Sequence, residues 1–110
     1  MTASELQAEV RQRDGVPVID ITGDVNADAE SALNDAYARA TAGGTGAVVL
    51  NFGRADYINS TGIALIVGLL AQARTSGTEV KAVGLSDHYR EIFEITRLAD
   101  FMTIERSSDA

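Results

Sequence analysis

The sequence predicts an α/β fold: one small domain of order β-β-α-β-α-β-α-β, with helices on a mixed sheet of about five strands. Three observations carry this. Two strand-like segments flank an Asp14-Gly15 pair, whose residues tolerate the positive φ of a tight hairpin. A continuous apolar run, A-V-V-L at 47–50, marks a central strand. Beyond the hairpin, strand and helix patterns alternate, which favours parallel strands joined by right-handed crossovers. Neither an internal repeat nor a linker divides the chain, so residues 1–110 are expected to form one domain with loose ends at about 1–4 and 106–110.

Each element has its own signal. Leu6, Ala8 and Val10 alternate with polar residues, as in a half-buried strand. The returning strand is 16–22, and Pro17, which lacks an N–H, predicts a free edge near its start. Gly23-Asp24 breaks the pattern. Asn26 is a good N-cap for a helix over 27–42, with Ala29, Leu33, Ala36, Tyr37 and Ala40 on one face. Gly43-Gly44 ends it. The run at 47–50 should be covered on both faces. A tyrosine-bearing loop then leads to a second helix over 60–74, closed by Ser76-Gly77. Val80, Ala82 and Val83 make a fourth strand. Ser86 caps a third helix with Tyr89, Ile92, Phe93 and Leu98 inward, and 101–104 reads as the last strand.

Composition excludes several functions. The net charge is -7 and no Lys/Arg cluster occurs, which opposes binding to nucleic acid or to an anionic membrane surface. Cysteine is absent, so there is no thiolate metal site and no disulfide, and a single histidine argues against a histidine-based metal site. The first ten residues lack the basic and apolar regions of a signal peptide, and the apolar stretch 63–71 is too short to span a bilayer. A cytoplasmic protein without a cofactor of its own is expected.

The second helix is asymmetric. At 3.6 residues per turn, Ile63, Ile66, Leu70 and Ala73 share a face, with Gly62 and Leu69 beside them. That face is assigned to the sheet. The face continuing from Ser60 holds Ala64, Val67, Gly68 and Ala71, and carries no charge until Arg74. Small apolar side chains let another backbone approach closely. Either a neighbouring element of the same chain covers this face, or another protein docks on it.

At the start of that helix stand Ser60 and Thr61, and three roles compete for Ser60. As a nucleophile it would need a base and an oxyanion hole. I-N-S-T-G lacks the G-x-S-x-G pattern of a nucleophile elbow, and the sole histidine, His88, falls in the first turn of the third helix. As a phosphoacceptor it would sit at a helix N-terminus, whose free N–H groups attract anions. As a structural residue, Asn59, Ser60 or Thr61 would cap the helix and do nothing more.

Four stretches resemble the STAS domain family, and within it the bacterial anti-sigma factor antagonists. They are I-T-G-D-V-N at 21–26, V-V-L-N-F at 48–52, Y-I-N-S-T-G-I-A-L-I at 57–66, and R-E-I-F-E-I-T-R-L at 90–98. They span nearly the whole chain in the family's order. The resemblance implies a small STAS-like fold with a mostly buried sheet, and a non-enzymatic regulator that switches partners. It implies that Ser60 is phosphorylated, with Thr61 as the fallback acceptor, by an anti-sigma factor that is itself a GHKL-type serine kinase. ATP and magnesium then belong to the kinase. The unphosphorylated chain binds the anti-sigma factor, the phosphorylated chain releases it, and a PP2C-type phosphatase resets the switch. The implied partner surface combines Gly23, Asp24 and Asn26 with Tyr57, Asn59, Thr61 and Gly62 at the start of the second helix, and it agrees with the uncharged face of Ala64, Val67, Gly68 and Ala71 read from helical spacing alone. The alternative is a STAS adaptor or scaffold subunit in a signalling or transport assembly, with Ser60 unmodified. The chain departs from the family pattern in three places. Asn59 and Asn26 stand where acids are usual, and Arg97 replaces a glycine near the end of the third helix, where a positive φ would strain it.

Overall fold

A computed structural model describes residues 6–44 and 46–105. The expected loose ends, at about 1–4 and 106–110, lie outside the described residues. Strands β1 (Gln7–Arg13) and β2 (Val16–Val25) form the antiparallel hairpin. Asp14 (φ 55°) and Gly15 (φ 82°) both take the left-handed conformation that a two-residue primed turn demands. Next come α1 (Glu30–Thr41), β3 (Ala47–Ile58), α2 (Ser60–Ser76), β4 (Glu79–Val83), α3 (Asp87–Ile95) and β5 (Thr103–Ile104). The sheet order is β1-β2-β3-β4-β5, and every pair after the hairpin is parallel. The five-stranded α/β fold with three helices is the expected one. Among the described residues no helix is long and apolar enough to cross a membrane.

The helices share one face of the sheet. Ile19, Ile21 and Val25 of β2, Val48, Leu50 and Phe52 of β3, and Val80 and Ala82 of β4 are buried in a single core with Leu33, Ala36 and Tyr37 of α1, Ile66, Leu69 and Leu70 of α2, and Phe93 of α3. Phe52 and Phe93 meet edge to face at 6.0 Å. Residues of opposite parity point the other way. β3 is central as expected, but its faces are unequal: Val48 and Leu50 are buried whereas Val49 is half-buried. Val16, Val18, Ala47, Val49, Lys81 and Val83 line an open trough of about 480 Å³ on that second face. Asp20 stands on the same side. Its partial burial alone would raise its pKa, but hydrogen bonds from Arg11 and Asn51, with the charges of Arg11 and Arg54, outweigh this and hold the carboxyl below the usual range.

Four local expectations change. Gly23-Asp24 does not end β2: the strand runs on to Val25 through an irregularity in its pairing with β3, and Gly23 (φ 97°) absorbs the bend. The stretch before α2 is not a loop but the second half of β3, where Tyr57 pairs with Asp24 and Ile58 with Val25. Its mixed polarity hid this, because outward positions beyond the core need no apolar side chain. The last strand shrinks to two residues, and Phe101 lies outside it beneath the Arg74 guanidinium, 5.5 Å from the ring centre. Asn26 caps a 3₁₀ turn, Ala27–Ala29, that feeds α1 rather than capping α1 itself. The free edge predicted at Pro17 lies toward β3, since pairing with β3 begins only at Val18. Arg97 does sit at a left-handed position (φ 69°), where its Nε donates to Asp100 Oδ2 at 2.9 Å.

Candidate functional site

The site begins where two parallel strands end together. β2 and β3 finish level, at Val25 and Ile58, and the chain leaves each through an asparagine. Asn26 Oδ1 accepts from the Asp28 N–H at 3.0 Å, and Asn59 Oδ1 accepts from the Gly62 N–H at 2.8 Å. The two exits are tied to one another. The Asn59 N–H donates to the Val25 carbonyl at 3.2 Å. Gly62 lies against that same carbonyl: a Cβ there would stand 2.0 Å from the oxygen. The first turn of α2 therefore rests directly on the end of β2, and only glycine permits it.

Asn59 thus takes the capping role, and Ser60 and Thr61 are left exposed on the first turn of α2. Neither hydroxyl makes a hydrogen bond among the described residues. That turn holds no acidic side chain, so the positive end of the helix dipole is uncompensated by charge there. A direct test of the capping assignment is urea unfolding. Asn59→Ala is expected to cost about 1 kcal/mol, and Ser60→Ala to stay within about 0.5 kcal/mol of the parent.

Of the residues proposed for the partner surface, most are accessible. Ala64, Val67, Gly68 and Ala71 form an exposed stripe along α2, with Val67 45% exposed. No described part of the chain covers the stripe. Tyr57 is 56% exposed at the end of β3, and Asp24, Asn26 and Asn59 are half-buried. Gly23 and Gly62 are corrected: both are buried. Gly23 shapes the bend of β2 and Gly62 the seat of α2, and neither offers surface to a partner. His88 is exposed and stacks edge-on against Tyr89, at 4.9 Å between ring centres.

Sequence reasoning missed two supports. Tyr89 reaches across from α3, and its hydroxyl accepts from the Ile58 N–H at 3.0 Å, fixing the last residue of β3 before the site. The Val25 carbonyl receives both Asn59 and Gly62. The sequence marks Tyr89 only as inward-facing, and a backbone carbonyl leaves no mark at all.

A five-stranded mixed sheet with three helices on one face, and an exposed serine opening the second helix, is the architecture of a small STAS-type domain. The family model described as "Mlab, STAS domain" matches residues 8–104, and the chain belongs to that family. It is 33% identical over 66 residues to an anti-sigma-B factor antagonist of Staphylococcus aureus, a match covering 60% of this chain and 61% of that protein. It is 31% identical over 97 residues to the Bordetella bronchiseptica protein named "Putative anti-sigma factor antagonist BtrV", covering 88% and 84%. Among solved structures, the phosphorylated form of the Bacillus cell fate determinant SpoIIAA superposes with a TM-score of 0.69 at 19% identity, over 96% of this chain and 93% of that one, which establishes the likeness of fold.

Proposed function

We propose that this chain is an anti-sigma factor antagonist that works by partner switching, with Ser60 as the switch. The observation that carries this reading is the free, exposed Ser60 hydroxyl at the α2 N-terminus, continuous with an uncharged stripe of small residues. The names of the S. aureus and B. bronchiseptica relatives support the class of partner. In the unmodified state the stripe, Tyr57 and the Asp24–Asn26 region receive the anti-sigma factor. That partner, a GHKL-type serine kinase, transfers the γ-phosphoryl of ATP: the Ser60 Oγ–P bond forms, the bond to the β-phosphate oxygen breaks, and the hydroxyl proton passes to a base on the kinase. The phosphate adds about 1.5 to 2 negative charges. The helix dipole and the free N–H groups of the first turn tolerate it within the chain, whereas burial against a partner does not. Affinity therefore falls while the fold remains. A PP2C-type phosphatase restores the hydroxyl. Cytoplasmic location accompanies this reading.

The neutral Asn26 and Asn59 favour a second reading, a STAS adaptor that is never phosphorylated. The two separate on incubation with the cognate kinase, ATP and magnesium. Partner switching predicts one phosphate, mapped to Ser60 by peptide mass spectrometry, absent in Ser60→Ala and present in Thr61→Ala. An unmodified chain, with binding indifferent to ATP, supports the adaptor.

A further inference from the structure

We propose that the outer edge of β1 is a self-association surface, where two copies of this chain pair antiparallel about a two-fold axis through Val10. β1 is an edge strand of seven residues, Q-A-E-V-R-Q-R. Among the described residues this edge has no proline, no lysine and no bulge, its charges are those of Glu9, Arg11 and Arg13, and its register with β2 is unbroken.

The hairpin determines which backbone groups face outward. Arg13 and Val16 flank a two-residue turn and form a hydrogen-bonded pair. Alternation then directs the N–H and C=O of Arg11, Glu9 and Gln7 toward β2. Those of Ala8, Val10 and Gln12 point away from the sheet. With the axis at Val10, Ala8 stands opposite Gln12 of the second copy and Val10 opposite Val10. All three outward residues then meet outward residues, in pairs that each exchange two hydrogen bonds.

The side chains select the same register. Between the bonded pairs, Glu9 faces Arg11 of the second copy, twice by symmetry, and Gln7 faces Arg13. Moving the axis to residue 9 sets Glu9 against Glu9, and moving it to residue 11 sets Arg11 against Arg11. Like charges directly opposed are destabilising, so of these three registers only the one at Val10 is self-complementary. The charged pairs lie on the open face of the sheet, clear of the helices. Arg11 is available for this although it already donates to Asp20 through Nε and Nη2. Its side chain is 47% exposed, and a guanidinium carries five N–H donors. Glu9 is exposed and makes no ion pair among the described residues.

Sedimentation equilibrium of the whole chain over a concentration series tests this. The mass is expected to rise from 11.6 kDa toward twice that value. Two variants identify the surface, each checked by circular dichroism for folding. Val10→Pro removes an outward N–H that the β1–β2 ladder does not use. Glu9→Arg gives every one of the three registers a like-charge pair, while placing the new guanidinium opposite Asp20 of its own hairpin. Each is expected to weaken self-association at least tenfold, and Gly68→Arg to leave it unchanged. A parent chain that stays monomeric at every concentration overturns the proposal. So does a dimer that persists equally in Glu9→Arg.

Discussion

Gly68→Arg is expected to lower affinity for the anti-sigma partner at least about 100-fold, equivalent to about 2.8 kcal/mol, without unfolding the chain. Gly68 lies midway along the exposed stripe of α2, and a Cβ added there meets nothing within 4 Å. The fold therefore accepts a larger side chain, and leaving glycine in a helix interior gains up to about 1 kcal/mol. The partner has no such freedom. A guanidinium in the middle of a close-packed apolar contact must be desolvated without a counter-charge. Gly68→Ala serves as the control: it should keep affinity within about tenfold while raising stability. If Gly68→Arg binds as well as the parent in a titration, the stripe is not the contact surface.

Gly62→Ala carries the largest expected cost to the fold itself. Its Cβ would lie 2.0 Å from the Val25 oxygen and 2.7 Å from the Val25 carbonyl carbon. Both are backbone atoms of β2, so no side-chain rotation relieves the clash. Either α2 lifts from the sheet or the end of β2 shifts. Overpacking of this kind costs about 1 to 3 kcal/mol, and more where the surroundings cannot give. Because the atoms that must move are backbone, urea unfolding is expected to show a loss in the upper part of that range. The hydrogen bond from Asn59 to Val25 breaks with the same motion, so partner binding should fall as well. Alanine at 62 and alanine at 68, in one helix, thus shift stability in opposite directions. A Gly62→Ala chain as stable as the parent would mean that α2 does not rest on Val25.

Much of this was legible in the sequence, and the particular residues show why. The Asp14-Gly15 turn, the inward faces of α1 and α2 and the core residues of β3 follow from local conformational preference and periodicity. The outer stripe of α2 stood out because a solvated helix face without charge is unusual. The role of Ser60 was underdetermined, since Asn59, Ser60 and Thr61 are all competent caps. Only the position of the Gly62 N–H over Asn59 Oδ1 assigns the cap to Asn59 and leaves Ser60 free. The extent of β3 was not legible, because F-G-R-A-D-Y is held in the sheet by pairing with Gly23 and Asp24 rather than by its own pattern. The close contact between Gly62 and Val25 joins residues far apart in the chain through a backbone atom. Helical spacing places Gly62 beside the sheet-facing residues but does not name what it touches.

The partner-switching account rests on a hydroxyl that is free in one state and charged in the other, at the rim of the same contact. Isothermal titration of the cognate anti-sigma factor with the chain, before and after stoichiometric phosphorylation of Ser60, measures this most directly. The predicted result is tight binding by the unmodified chain and an affinity at least about 100-fold weaker, a change of about 2.8 kcal/mol, once the phosphate is in place. Equal affinity in the two states contradicts the account.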